Sequence, residues 1–103
     1  MDKYQRNALR YANKIRRKLG LKPVDHLYQG RRRRSDNCPI TNTIYNDDPL
    51  DNYEVLTETL YVRVTDNQGH TIIEEVSPPT VIAFVTRFDE GLYPDLDAGE
   101  GLE

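Results

Sequence analysis

A chain of 103 residues that is 37% hydrophobic and 30% charged supports one lean core, with seven tyrosines and two phenylalanines supplying bulk in place of tryptophan. Its net charge of −3 hides a split: residues 1–34 hold twelve of the fourteen Lys and Arg residues against Asp2 and Asp25, a net +10, while residues 35–103 hold Arg63 and Arg87 against fifteen acids, a net −13. No apolar run approaches the roughly 18 residues of a membrane span, the polar start from Asp2 lacks the apolar core of a secretory signal, and the single Cys38 excludes an internal disulfide, so a cytoplasmic location without a membrane partner is expected.

Asp2, with Gln5 three residues on, gives the capping-box pattern of a helix start. Tyr4, Ala8, Tyr11, Ala12, Ile15 and Leu19 then recur at helical spacing on one face, and Gly20 followed by Pro23 ends the run. Beside that face Lys3, Arg6, Arg10, Lys14 and Arg17 share a band about 80° wide. Few acids stand at i,i+4 to them, so the stripe is expected to stay unneutralised by its own helix.

Residues 21–37 read as irregular chain, with Asp25 to Tyr28 as a short anchoring turn before the run Arg31, Arg32, Arg33 and Arg34. Asn37 is the expected cap of a short second helix through Pro39, Ile40, Thr41 and Ile44. The stretch from Asn46 to Asn52 has the composition of a loop. Leu60, Val62 and Val64 alternate with polar residues as a half-buried strand does, Asp66 to Gly69 supplies a turn, and Ile72 and Ile73 lie on a returning strand. Tyr53 to Thr59 either extends the first strand or forms another. Ser77 is the expected cap of a last helix with Pro78 and Pro79 in its first turn, an apolar face of Val81, Ile82, Phe84, Val85 and Phe88, and a stop at Gly91. The fold class expected is α+β over residues 1–94: a long N-terminal helix, a short second helix, a β-hairpin or small antiparallel sheet, and a C-terminal helix. Residues 95–103 are expected to be an acidic, mobile tail.

Chemistry-bearing motifs are few. Cys38, at a helix start and close after four arginines, stands where a thiol pKa falls, yet Cys38-Pro39-Ile40-Thr41 has no second cysteine and no phosphate-binding arginine six residues on. A small buried cysteine is the default. His26 and His70 stand twelve and thirty-two residues from Cys38, which matches no short metal-ligand spacing. Asp47, Asp48 and Asp51 lack the periodic ligands of a calcium loop. There is no glycine-rich phosphate loop and no nucleophile turn. The expectation is a chain that is not an enzyme, with no catalytic residue, metal or cofactor.

Two segments carry a resemblance. One runs Arg10-Tyr11-Ala12-Asn13-Lys14-Ile15-Arg16-Arg17-Lys18-Leu19-Gly20 and continues to Cys38-Pro39-Ile40-Thr41-Asn42-Thr43-Ile44; the other is Val76-Ser77-Pro78-Pro79 followed by Phe84-Val85-Thr86-Arg87-Phe88-Asp89-Glu90-Gly91-Leu92-Tyr93-Pro94. Together they resemble small uncharacterised proteins encoded by actinobacteria and their phages, mycobacteriophages among them. That resemblance implies a phage-encoded interaction protein that binds a host protein and modulates host growth, and it brings no catalytic residues.

The partner-binding residues expected are Arg6, Arg10, Lys14 and Arg17 on the helix stripe, Arg31, Arg32, Arg33 and Arg34 in the loop, and Tyr28 as an aromatic anchor, with Tyr93 a further aromatic in a loop. They would meet an acidic surface on a host protein. The alternative is a nucleic-acid-binding module that uses the same helix face and Arg31 to Arg34, against which the acidic pI of about 5.4 counts. An accessory enzyme using Cys38 is a third reading, and a homodimer whose basic and acidic parts neutralise each other is a fourth.

Overall fold

The first helix, α1 (Lys3–Lys18), starts where the capping box puts it. Asp2 Oδ1 accepts from the Gln5 N–H at 2.8 Å, and the Gln5 side chain accepts from the Asp2 N–H at 2.9 Å, so two otherwise orphaned donors are satisfied. Ala8, Tyr11, Ala12 and Ile15 are buried along the expected face, with Tyr4 and Leu19 at its margins. These features come from a computed structural model, which describes residues 1–45 and 52–99. Most of the expected loop from Asn46 to Asn52, including the acids Asp47, Asp48 and Asp51, lies outside the described residues, as do residues 100–103.

The second helix, α2 (Pro39–Ile44), begins one residue later than the sequence suggests. Cys38 is its N-cap, its Sγ accepting from the Thr41 N–H at 3.5 Å, while the Asn37 side chain instead accepts from Asn42 Nδ2 at 2.9 Å. Ile40 and Ile44 are fully buried. At the far end Arg16 donates to the carbonyls of Thr43 and Ile44, at 3.1 and 2.8 Å, so a base from α1 caps the helix that α1 packs against.

Three strands follow in the order β1 (Tyr53–Thr57), β2 (Tyr61–Asp66) and β3 (Thr71–Val76), both pairs antiparallel. The chain from Tyr53 is therefore a separate strand, and the sheet is a three-stranded meander. Val55 and Thr57 on β1 and Val62 and Val64 on β2 are buried toward the helices. Leu60 does not belong to that buried set: it sits in the turn before β2 and is 61% exposed. The register slips between Val64 and Thr65, opposite Ile73 and Thr71, so Ile72 falls at a bulge and stays exposed. The β2–β3 turn closes on Asp66, whose Oδ1 accepts from the N–H groups of Gln68 and His70.

The last helix, α3 (Pro79–Asp89), has Pro78 and not Ser77 as its N-cap, and no side chain caps it. Ser77 is buried and donates to the Tyr11 hydroxyl at 3.3 Å. Val81, Phe84 and Phe88 bury the inner face of α3 against α1, in one core with Ile15, Ile40, Ile44, Val62 and Val64. The chain is α+β with helices at both ends, and no described helix is long and apolar enough to cross a membrane.

Beyond Gly91 the first part of the acidic tail is held. Tyr93 is buried, Pro94–Leu96 forms a 3-10 turn, and Asp97 bridges to Gly30. Gly30 donates to the Leu96 carbonyl at 2.9 Å and accepts from the Ala98 N–H at 2.8 Å. A Cβ on Gly30 would lie 2.5 Å from backbone atoms of Cys38 and Pro39, so this crossing needs glycine.

Candidate functional site

The helical period that buries Tyr11 and Ile15 turns Arg10, Lys14 and Arg17 outward along the same side of α1. There they line a groove of about 420 Å³ together with Asn7 and Tyr11, and its other wall is Pro78, Thr80 and Val81 at the start of α3. Every charged side chain lining it is basic. Arg10 donates to Asn7 Oδ1 at 3.1 Å. The Arg17 guanidinium makes no hydrogen bond or ion pair among the described residues. The Tyr11 hydroxyl donates to the Glu75 carbonyl at 2.8 Å, and burial pushes its pKa above the usual phenol value. The uncapped start of α3 adds the positive end of a helix dipole to the same wall.

The stripe is less free than its own helix suggests. Glu75, on the helix-facing side of β3, pairs with Lys18 and lies 3.4 Å from Lys14. The hydrogen bond from Lys18, more than any other influence, holds the Glu75 carboxyl below the ordinary value. A long-range acid thus meets Lys14 of the stripe, which i,i+4 spacing could not reveal, while Arg17 stays unpaired among the described residues. Arg6 turns back on the chain start and donates to the Met1 carbonyl at 2.6 Å.

Arg31 to Arg34 form no continuous basic strip. Arg32 Nε lies 3.2 Å from Asp97 Oδ2, without hydrogen-bond alignment, and its guanidinium passes over Gly91. The Arg33 N–H donates to Asp89 Oδ1 at 2.8 Å with the residue at φ 61°, and Arg34 Nε lies 3.3 Å from Asp36. The side chains of Arg31 and Arg33 have no ion pair among the described residues. A second cavity, about 220 Å³, lies beside Arg33 and Arg34 but also beside Glu58 and Asp89, so its charges are mixed. Four like charges repel unless acids separate them, and Asp36, Asp89 and Asp97 do so here.

Cys38 borders that second cavity, yet burial pushes its thiol up, outweighing the hydrogen bonds from Thr41 and Thr57. The low-pKa environment that four nearby arginines suggested is absent: burial of the thiol dominates, and no arginine charge counters it. Tyr28 is half-buried and stacks on His26 with ring centroids 5.2 Å apart, while its N–H donates to Thr43 Oγ1. His70 is 3.7 Å from Asp66. Among the described residues no three His, Cys, Asp or Glu side chains gather to hold a metal ion.

Tyr93 is not an exposed anchor but the buried centre of a cluster. Its ring stacks on Phe84 at 5.2 Å, and its hydroxyl accepts from Arg87 Nε at 3.0 Å and donates to Asp2 Oδ2 at 2.8 Å. The Arg87 guanidinium also covers the Tyr4 ring at 4.9 Å. These contacts tie the start of α1 to the chain beyond α3, and only the core-facing period of Tyr4 hinted at them. Of the residues expected to bind a partner, Arg10, Lys14 and Arg17 are the ones brought together at one groove. Compared with known proteins, the chain matches no family model, no curated protein and no solved structure.

Proposed function

We propose that this chain is a non-enzymatic interaction module whose α1 groove receives an acidic segment of a protein partner. The observation that carries the reading is the groove itself, in which Arg10, Lys14 and Arg17 line one wall and Pro78, Thr80 and Val81 the other. Positive charge steers an acidic partner in, and the exposed Pro78 offers apolar contact beside it. The resemblance to small actinobacteriophage proteins would make the partner a host protein in the bacterial cytoplasm. A phosphate backbone fits less well, because two of the four arginines it would track, Arg32 and Arg34, are paired with acids, and Glu58 and Asp89 lie beside Arg33 and Arg34.

The test is capture from nuclease-treated actinobacterial lysate, comparing the native chain with a variant carrying R10E and R17E. Both positions are exposed, so the variant should fold. A protein retained by the native chain and lost from the variant supports the reading. Equal retention by both, or recovery of nucleic acid alone before nuclease treatment, overturns it.

A further inference from the structure

The sheet has a second face, turned away from the helices and left uncovered by the described residues. Directly paired residues share a face, so Leu56, Arg63 and Glu74 make one row across the strands, and Tyr61 with Val76 makes the next. These rows lie opposite to the buried Val62 and Val64. Val76 is 79% exposed, as high as any apolar strand residue here, and Leu60 in the adjoining turn is 61% exposed. Between the apolar residues sits one ion pair. Arg63 Nη2 lies 3.4 Å from Glu74 Oε2 and 3.2 Å from the Tyr61 hydroxyl, with the guanidinium over the Tyr61 ring.

We propose that this face binds the same face of a second copy of the chain. A two-fold interface brings one patch against itself, so each charge needs its opposite within the patch. Arg63 and Glu74 meet that need: rotated about an axis between them, Arg63 of one copy falls over Glu74 of the other, and the apolar flanks of Tyr61, Val76 and Leu60 meet. The acidic partner assigned to the α1 groove has no reason to choose this face, where the central base is already matched by an acid. Pairing through the free edge of β3 is disfavoured by the bulge at Ile72 and by the adjacent Glu74 and Glu75. Three strands about 4.8 Å apart and about 20 Å long give a footprint of about 300 Å², below the ~800 Å² per partner of a stable interface. The dimer is therefore weak, and it leaves the α1 groove open on the opposite side of the sheet.

Sedimentation equilibrium of the full chain from about 10 µM to about 1 mM, the span in which a weak interface saturates, tests the proposal. The average mass should rise from one chain toward two. The variants R63E and E74R should each stay single alone, through like-charge contact, and should associate when mixed in equal amounts. Val76→Lys should abolish association without touching the ion pair, and circular dichroism checks that each variant is folded. A native chain that stays single at the highest concentration overturns the proposal. So does an R63E or V76K variant that dimerises as well as the native chain, or a charge-reversed mixture that stays single.

Discussion

Asp2 serves two structures with one carboxylate: Oδ1 caps α1 and Oδ2 receives the Tyr93 hydroxyl. Burial opposes its ionisation, but the Gln5 amide, the Tyr93 hydroxyl and the Arg87 charge outweigh it and hold the pKa below the ordinary 3.8. A carboxyl depressed in the folded state is still ionised there when the unfolded chain has begun to bind its proton. Its contribution is thus fully present above the unfolded pKa and is lost as pH falls through the folded one. Asn caps a helix about as well as Asp, so Asp2→Asn removes the charge and keeps the cap. In urea titrations the native chain should lose stability more steeply than Asp2→Asn below about pH 4. Parallel acid limbs would contradict the role given to Asp2. Glu75 is depressed in the same sense, so the variant should keep part of the slope.

At the scale of elements, the segment from Gly30 to Asn37 is a strap between the start of α2 and the chain beyond α3. Its fixed points are Gly30 against Asp97, the Arg31 N–H on the Asn37 carbonyl at 2.6 Å, and the Ser35 carbonyl accepting from the Thr57 N–H at 2.9 Å. Gly30→Ala would drive a methyl into the Cys38–Pro39 backbone. The expected cost is about 3 kcal/mol, the upper range for overpacking, read as a lowered urea midpoint. A loss under about 0.5 kcal/mol, the usual size of a surface change, would show that the strap gives way freely. Little of this was legible in the sequence. α1 was, because capping box, apolar period and Gly20 all agree over sixteen residues. α2 and α3 were legible as helices but not in their caps, since Asn37 and Ser77 have better partners in Asn42 and Tyr11. β1 stayed undecided because its buried Val55 and Thr57 alternate with Glu54 and Leu56, a pattern shared by a short strand and by a continuation of the next one. The strap was missed altogether, as it rests on contacts that follow no helix or strand period, Ser35 meeting Thr57 and Gly30 meeting the distant Asp97.

For the whole molecule, the separation of charge along the chain becomes a set of pairings in space. Lys14 and Lys18 meet Glu75, Arg32 meets Asp97, and Arg87 meets Asp2 through Tyr93. The basic third therefore folds in part against the acidic remainder, while Arg10 and Arg17 stay outward on α1. The sequence pointed to nine binding residues; the fold pairs Arg32 and Arg34 with acids and half-buries Tyr28. Such pairings join distant positions, so local spacing along α1 or within the loop could not separate paired arginines from free ones. Exposed ion pairs contribute only about 0–1 kcal/mol each, so an acidic partner can compete with Glu75 for Lys14 at modest cost.

The most direct test of the α1 groove is a titration of the isotope-labelled chain with a short glutamate-rich peptide and, separately, with a short oligonucleotide, following backbone amide shifts at low and moderate salt. The account predicts peptide-induced shifts at Asn7, Arg10, Lys14, Arg17 and Thr80 that weaken as salt rises. Shifts centred on Arg31 to Arg34, or a response to the oligonucleotide and none to the peptide, would contradict it.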